Sequence, residues 1–376
     1  MPVPLPAPGD ELLLPPDRDE VELIARGIRS ASMPADGLTA QQHVLIRAIT
    51  RSMTGFEIDP ATVADISPAE FAAGLARRTA EFRHRGLHMM LLCALVLTPL
   101  PEDVARRLDD FAAELGVEED LLRVAHDYSH GSLGLALIDF ERSGYTSDWD
   151  PVQAAQLHTS KAVRDAWDLC VTDAALAEQW AALADCPEGS LGLGVFRFYQ
   201  ARGFVFPGHV GSAPPYLAQH DWVHVLAGYG STVESEIEIF ALIARAIPDL
   251  RGFSFLAMVI GLFETGYVSR AAGLFEADRG HLSRDGMAVR LGDALRRGAL
   301  CGHDLLAVDW FAHAARPVDD VADELGIVPK DPAAIAAGSI TAWEPGGISP
   351  YQRAAGAAAA EREGRPYDPF GATPPS

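Results

Sequence analysis

HDWVH at residues 220–224, followed by GYG at 228–230 and then by Glu236, is the stretch that decides the fold of the second half of the chain. At about 100° per residue in an α-helix, His220, Asp221 and His224 fall within an arc of roughly 100°. The remaining residues around this helix are mostly apolar, which is typical of a helix buried on all sides. Buried imidazole and carboxylate groups need polar partners, because an unpaired buried polar group is costly. The stretch therefore predicts a buried helix with three polar side chains on one side.

Glu236 is the fourth polar group that this pattern brings toward the same place. On one continuous helix it would lie roughly 18 Å from His224. The two glycines of GYG, however, allow the chain to end the first helix and fold back. Ser231 is then predicted as the N-cap of the next helix, with Glu234 as its capping-box partner. Glu236 falls within the apolar stripe of that helix, so its carboxylate is predicted to face the core.

Two histidines, one aspartate and one glutamate form a mixed nitrogen and oxygen donor set, which suits zinc, iron or manganese. We therefore predict a metal site at His220, Asp221, His224 and Glu236, with zinc as the first choice and iron or manganese as alternatives. Asp221 is also the candidate catalytic residue, although it could instead orient a histidine without touching the metal. The alternative is a buried hydrogen-bond network of the same side chains without a metal.

The same pattern resembles a known family signature. HDWVH, then eleven residues, then Glu236 is similar to the HDxxH-x11-E signature of the Coq4 family of ubiquinone-biosynthesis proteins. LGLGVFRFY at 191–199 is similar to a helix of that family. Residues 293–327, which include LLAVDWFAH and DELGI, are similar to its closing segment. The resemblance covers roughly residues 150–330.

The resemblance implies a metal-dependent enzyme of quinone synthesis. The implied reaction is oxidative removal of the ring carboxylate from a polyprenylated hydroxybenzoate-type precursor. The implied partners are a polyprenyl aromatic lipid and other quinone-biosynthesis enzymes. A second interpretation gives the metal a structural role, so that the protein is a non-catalytic lipid-binding scaffold for those enzymes. The apolar stretch at 253–263 fits either a packed core helix or one wall of a tunnel for a prenyl chain.

The first part of the chain predicts a separate helical bundle. No run of alternating strands is evident, so the predicted fold class is all-α. The segments ADGLTAQQ (35–42), SPAEFAAGLA (67–76) and LGVEEDLLRVAHDYSHG (115–131) resemble a TerB-like domain, the tellurite-resistance helical bundle. We therefore predict a proline-rich lead-in at 1–18, a TerB-like helical domain at 19–145, a Coq4-like helical metal-binding domain at 150–330, and a disordered Ala-, Gly- and Pro-rich segment at 331–376.

Two further histidine motifs offer rival sites. HDYSH at 126–130 repeats the HDxxH spacing. It could form a second metal site whose members would be His84, His88, His126, Asp127 and His130. The alternative for these groups is ordinary hydrogen bonding or exposure to solvent. His303 and Asp304 form another HD pair, which leaves an HD-type metal phosphohydrolase as a lesser functional alternative.

The charge balance excludes some classes of partner. The chain has 30 basic and 52 acidic residues and a formal net charge of −22. This charge argues against nucleic acid and against electrostatic docking on anionic lipid. The four cysteines form no CxxC pair, and the first residues do not resemble a signal peptide, so a cytoplasmic protein is predicted. Any peripheral contact with the inner face of a membrane would have to be apolar, and a homo-oligomer is left open.

Overall fold

The structure is a computed structural model that describes residues 16–97, 100–117, 122, 125, 172–210, 212, 218–247, 256, 260 and 280–369. All regular secondary structure in these ranges is helical. An isolated β-bridge joins Ser190 to Pro317. The prediction of an all-α protein is therefore confirmed for the described part of the chain.

The described α-helices, numbered in chain order, are α1 (Arg18–Ser32), α2 (Ala40–Thr54), α3 (Pro68–Gly74), α4 (Ala80–Leu95), α5 (Glu102–Leu115), α6 (Ala174–Ala181), α7 (Leu191–Arg202), α8 (Gln219–Ala227), α9 (Val233–Ala246), α10 (Met287–Leu300), α11 (Trp310–His313), α12 (Val318–Leu325), α13 (Pro332–Ala336) and α14 (Pro350–Glu363). A short 3₁₀ helix, Ala182–Asp185, follows α6.

Local capping explains where several of these helices begin and end. Thr39 before α2 accepts a hydrogen bond from the backbone N–H of Gln42, and the Gln42 side chain accepts one from Thr39 in return. Ser67 and Glu70 form the same capping box at the start of α3. Such reciprocal bonds satisfy backbone donors that have no partner within the helix. The helices of the first part therefore follow from short sequence signals.

Helix α10 joins the first and later parts of the described chain. It packs against α2 on one side and against α9 on another. Gly292 allows the close approach to α2, because a Cβ atom there would lie 3.3 Å from the carbonyl oxygen of Ala48. Buried apolar residues of both parts belong to one contiguous core. The predicted boundary near 144–150 lies outside the described residues, so the division into TerB-like and Coq4-like domains stays a prediction.

The segment after residue 330 differs from its prediction. Instead of being disordered, residues 331–369 include α13 and α14, and α14 packs against α7. Ser349 caps α14 in a capping box with Gln352, and Pro350 occupies its first turn, which is a favourable helix start. Gly356 allows α14 to approach closely, because a Cβ atom there would lie 2.2 Å from the Ala201 carbonyl oxygen. The small residues that suggested disorder are the ones that permit this packing.

The apolar stretch at 253–263 falls largely outside the described residues. Leu256 and Ile260, which the structure does describe, are fully buried. Whether this stretch is one wall of a prenyl tunnel stays a prediction. None of the helices in the described ranges is both long enough and apolar enough to cross a lipid bilayer.

Candidate metal centre

Helix α8 carries three of the four predicted ligands. It is short, and it ends at Gly228 in a left-handed conformation with a φ of 69°, which glycine adopts at no steric cost. His220, Asp221 and His224 are all buried, as are the apolar residues on the rest of the helix. The predicted buried helix with a polar side is therefore present in the structure.

The chain then folds back into α9, as the two glycines of GYG predict. The N-cap of α9 is Thr232, whose hydroxyl accepts a hydrogen bond from the Ser235 N–H. The prediction of Ser231 as the N-cap is therefore wrong by one residue. The physical reason lies far away in the sequence, because the Ser231 hydroxyl instead donates to Gln352 at 2.6 Å and accepts from Arg202 at 2.5 Å.

The fold-back brings the four predicted side chains together. Ligand atoms of His220, Asp221 and His224 all lie within 4.8 Å of one another. The Glu236 carboxylate of α9 lies 3.5 Å from Nε2 of His220 and 3.3 Å from Nε2 of His224. An Asp221 carboxylate oxygen lies 3.5 Å from Nε2 of His220. The imidazoles thus present Nε2 atoms to carboxylates from two helices.

A hydrogen bond at Nδ1 of His224 fixes the orientation and the tautomer of that imidazole ring. Its Nδ1 lies 2.7 Å from the carbonyl oxygen of Gly230. A carbonyl only accepts hydrogen bonds, so Nδ1 carries the proton and donates it. In the neutral ring Nε2 then holds a lone pair, and it faces the Glu236 carboxylate. Two electron-rich atoms facing each other need either a proton on Nε2 or a cation between them.

Tyr199 of α7 holds Asp221 in place. Its hydroxyl donates a hydrogen bond of 2.6 Å to the second carboxylate oxygen of Asp221. Burial and the nearby carboxylate raise the pKa of Tyr199 well above its usual value, so the hydroxyl stays protonated and remains a donor. Tyr199 is not among the predicted site residues, because a tyrosine on another helix offers no local sequence signal of such a role.

The carboxylates of the site differ in their protonation. Burial raises the pKa of Glu236, but the two histidines that face its carboxylate outweigh that effect and bring the pKa down to about 2. Burial also raises the pKa of Asp221, and there the opposing effects of His220, His224 and Tyr199 do not overcome it. Glu236 is therefore the firmly charged member of the pair, which suits it to bind a cation.

Aromatic rings surround the two histidines. Phe240 stacks on His220 with ring centroids 5.0 Å apart, and Phe198 stacks on His224 at the same distance. His224 is fully buried, whereas His220 keeps 7% of its surface exposed. Electrostatic interactions are stronger in such an apolar, water-poor setting than in water. Among the four side chains, His220 lies nearest to solvent.

The arrangement fits a divalent metal ion. His220, Asp221 and His224 form a group that could hold one. Nε2 of His224 and Oε2 of Glu236 are buried and lack a hydrogen-bond partner among the described residues, although each lies close to another site atom. Buried polar atoms without partners call for an explanation, and a cation bound between nitrogen and oxygen donors supplies one. Glu236 as a fourth ligand belongs to the proposal below.

The two neighbouring glutamates of α9 have other partners. Glu234, predicted to join a capping box, instead forms a hydrogen bond with Nδ1 of His281 at 2.7 Å and an ion pair with Arg284. Glu238 is buried and pairs with Arg290 at 2.6 Å. The capping-box prediction is therefore wrong. Helix α9 starts one residue later than predicted, and the Glu234 carboxylate binds His281 and Arg284, which precede α10.

The rival motifs do not form a comparable group in the described residues. His126, Asp127 and His130 lie outside them, so the second metal site stays a prediction; the rings of His84 and His88 lie 6.0 Å apart on α4. The Asp304 carboxylate accepts a hydrogen bond from the Leu306 N–H, and Nδ1 of His303 lies 3.3 Å from the Leu325 carbonyl oxygen. These contacts give the HD pair at 303–304 a structural role.

Fold and site together define a class: an all-α protein with a buried group of two histidines and an aspartate that could hold a metal ion, and with a glutamate against both histidines. Comparison with known proteins found no match to the chain among protein-family models, curated proteins or solved structures.

Proposed function

We propose that this chain is a Coq4-like, metal-dependent protein of quinone synthesis, which oxidatively removes the ring carboxylate of a polyprenylated hydroxybenzoate-type precursor. The observation that carries the proposal is the approach of Glu236 to both histidine Nε2 atoms, at 3.5 Å and 3.3 Å. The spacing HDxxH-x11-E gives a common site only if the chain folds back at GYG and turns Glu236 inward. The resemblance then supplies the reaction and the class of substrate.

In this proposal His220, Asp221, His224 and Glu236 hold the ion, which is zinc in the first instance and iron or manganese as alternatives. When bound, the ion polarises the carboxylate or phenol of the substrate ring and orients that ring. In the net reaction the ring carboxyl group leaves as carbon dioxide and a hydroxyl group derived from water takes its place, which releases two protons and two electrons. Dioxygen would accept both and leave as hydrogen peroxide.

The surrounding residues contribute without reacting. Tyr199 holds the Asp221 carboxylate by its hydrogen bond. Phe240 and Phe198 cover the faces of the two histidines and exclude water, which strengthens charge interactions at the site. His220 and Asp221 keep 7% and 5% of their surface exposed, so we place the aromatic ring of the substrate on their side of the site, beside Phe240.

The first test compares metal content and turnover. Untagged wild-type protein and Glu236→Gln would be analysed by mass spectrometry and then incubated in air with a short-chain prenyl-4-hydroxybenzoate labelled at the carboxyl carbon. We expect about one metal per chain and labelled carbon dioxide from wild type, and neither from the variant. If wild type remained metal-free after reconstitution with zinc, iron or manganese, the metal site would be refuted. If wild type bound metal but released no labelled carbon dioxide, the enzymatic activity would be refuted.

A lipid-binding scaffold is the second candidate, and the depth of the site favours it. All four side chains are at most 7% exposed, and four protein ligands can close a structural zinc site. The metal would then tie α8 to α9, and a lipid would be carried for partner enzymes. Stable binding of the same prenyl compound without turnover, together with unfolding upon chelation, would favour this candidate over the enzyme.

The proposed location follows the proposed substrate. A polyprenyl lipid lies in membranes, so a cytoplasmic protein acting on it would contact the inner membrane face. The net charge of −22 opposes attraction to anionic lipid, and such contact would therefore be apolar. Co-sedimentation with neutral phosphatidylcholine vesicles, compared with vesicles containing phosphatidylserine, tests this, and binding only to the anionic vesicles would contradict it.

A further inference from the structure

The connection between α8 and α9 contacts a distant part of the sequence, residues 340–352. We infer that residues 340–352 are a positioning element for His224, acting through the peptide group that joins Gly230 to Ser231. The inference rests on the proposed function, because it assigns these residues a role at the same metal site. None of them belongs to the HDxxH-x11-E pattern.

The peptide group between Gly230 and Ser231 bonds in two directions. Its carbonyl oxygen accepts the hydrogen bond from Nδ1 of His224 at 2.7 Å. Its N–H donates to the carbonyl oxygen of Gly347 at 2.8 Å. In a trans peptide the C=O and N–H bonds lie in one plane and point in opposite directions. The bond to Gly347 therefore fixes the plane that aims the oxygen at His224.

Further hydrogen bonds hold the same turn against residues 340–352. The Gly230 N–H donates to the carbonyl oxygen of Ile340 at 3.0 Å. The Ser231 hydroxyl donates to Gln352 at 2.6 Å. Arg202 bridges the two sides, since its guanidinium donates to the Ser231 hydroxyl at 2.5 Å and to the Gly347 carbonyl at 3.2 Å. Arg202, Ser231 and Gln352 are at most 1% exposed, so water does not compete for these bonds.

Steric fit adds to this hydrogen bonding. A Cβ atom at Gly230 would lie 2.8 Å from the Gly347 carbonyl oxygen, and one at Gly347 would lie 2.0 Å from the Thr341 carbonyl oxygen. Gly230 thus lets the turn meet the backbone at residue 347, and Gly347 lets residues 340–352 fold closely on themselves. The consequence for His224 is a fixed tautomer, with the proton on Nδ1 and Nε2 directed at the site.

The test uses the full chain with Gly347→Ala, which forces the backbone at residue 347 away from Thr341. Gly302→Ala is the matched control, because a Cβ atom there meets no atom within 4 Å in the described part of the chain and the residue has no left-handed φ. Nitrogen-15 NMR of the His224 ring in zinc-free protein reports the tautomer, and chelator competition reports zinc affinity. We expect Gly347→Ala to lose the fixed Nδ1–H tautomer and to bind zinc about 10–100-fold more weakly, and the control to match wild type.

A second variant, Gln352→Ala, covers the case in which Gly347→Ala fails to fold. It removes the acceptor of the Ser231 hydroxyl and should change tautomer and affinity in the same direction by a smaller factor. Hydrogen exchange of the Ser231 amide reports whether the turn has been released. Faster exchange with wild-type tautomer and affinity would overturn the inference, and so would unchanged exchange in both variants. Failure of wild type to bind zinc, iron and manganese would refute the proposed function, whereas the tautomer comparison in metal-free protein would still decide this role.

Discussion

The imidazole of His224 is fixed at one nitrogen and directed at a carboxylate with the other. That division depends on single atoms: the Gly230 oxygen at Nδ1 and Glu236 at Nε2. Tyr199 plays the corresponding part for Asp221, since it occupies one carboxylate oxygen and leaves the other beside His220. The groups behind the ligands therefore determine how the ligand atoms are presented.

Removing the Tyr199 hydroxyl should weaken metal binding without unfolding the protein. In Tyr199→Phe the Asp221 carboxylate loses its donor and its fixed orientation, and we expect zinc affinity to fall by about 10–100-fold. Tyr367→Phe is the matched control, because it removes a hydroxyl that donates to the Ala201 carbonyl outside the site. Chelator competition measures both variants, and equal affinities would show that Tyr199 does not position Asp221.

Lys330 should make the free energy of unfolding depend on pH in the alkaline range. Burial lowers its pKa from 10.5 to about 8. Between these two values the unfolded chain binds more protons than the folded one, so the free energy of unfolding rises with pH. Below pH 8 the side chain is charged in both states, and the rise is complete above about 10.5. The full rise amounts to at most about 3 kcal/mol.

Urea unfolding of wild type and Lys330→Met at several pH values between 7.5 and 10 tests this. The wild-type free energy of unfolding should climb more steeply with pH than that of the variant, because other basic groups contribute equally to both. Parallel pH profiles would mean that Lys330 titrates normally in the folded protein.

Two glycines within helices differ in the space around them, and alanine in their place should therefore have opposite effects on stability. A Cβ atom at Gly298 of α10 would lie 2.3 Å from the Leu242 carbonyl oxygen of α9, whereas one at Gly86 of α4 meets no atom of the described residues within 4 Å. Alanine in a helix interior normally stabilises by about 0.5–1 kcal/mol relative to glycine. Forcing atoms into a filled contact costs about 1–3 kcal/mol.

Gly298→Ala should therefore lower the free energy of unfolding, and Gly86→Ala should raise it. Both changes replace a glycine within a helix by the same residue, so each serves as the control of the other. Chemical denaturation followed by circular dichroism measures both. Stabilisation by Gly298→Ala would show that α9 and α10 are less tightly packed than described.

Helix ends show how far sequence reasoning reaches. The range 102–115 for α5 and its stop at Gly116 were predictable, because Pro101 precedes the helix and a left-handed glycine ends it, and both act within a few residues. The fold-back at GYG and the inward direction of Glu236 were predictable for the same reason. The choice of Thr232 over Ser231 as N-cap was not, because both residues cap well and the decision rests with Arg202 and Gln352 on other helices.

For the molecule as a whole, the ordering of residues 331–369 was the least predictable feature. The local richness of this segment in alanine, glycine and proline predicts disorder. Their packing against α7 depends on surfaces that exist only once the remainder is folded. The role of Tyr199 was unpredictable for a similar reason, since it lies on α7 and its hydroxyl bonds to Asp221 on α8.

Metal binding should stabilise the entire fold. A ligand that binds only the folded state adds about 2.7 kcal/mol at a free concentration one hundred times its Kd. Zinc should therefore raise the Tm of wild type and leave that of Glu236→Gln unchanged. Glu188→Gln, which alters an exposed ion pair with Arg197, is the control and should respond like wild type. A Tm increase of equal size in all three proteins would indicate zinc binding elsewhere.

The bond between Ser231 and Gly347 has a consequence for the order of events during synthesis. A nascent chain that has emerged only to Glu236 already contains all four candidate ligands, yet it lacks the partner that orients the Gly230 carbonyl. More than one hundred further residues must leave the ribosome before the turn closes, since Ser231 and Gly347 are 116 apart in sequence. We expect the chain to acquire its ion late, after translation of that segment, and partial chains to compete poorly for scarce metal in the cell.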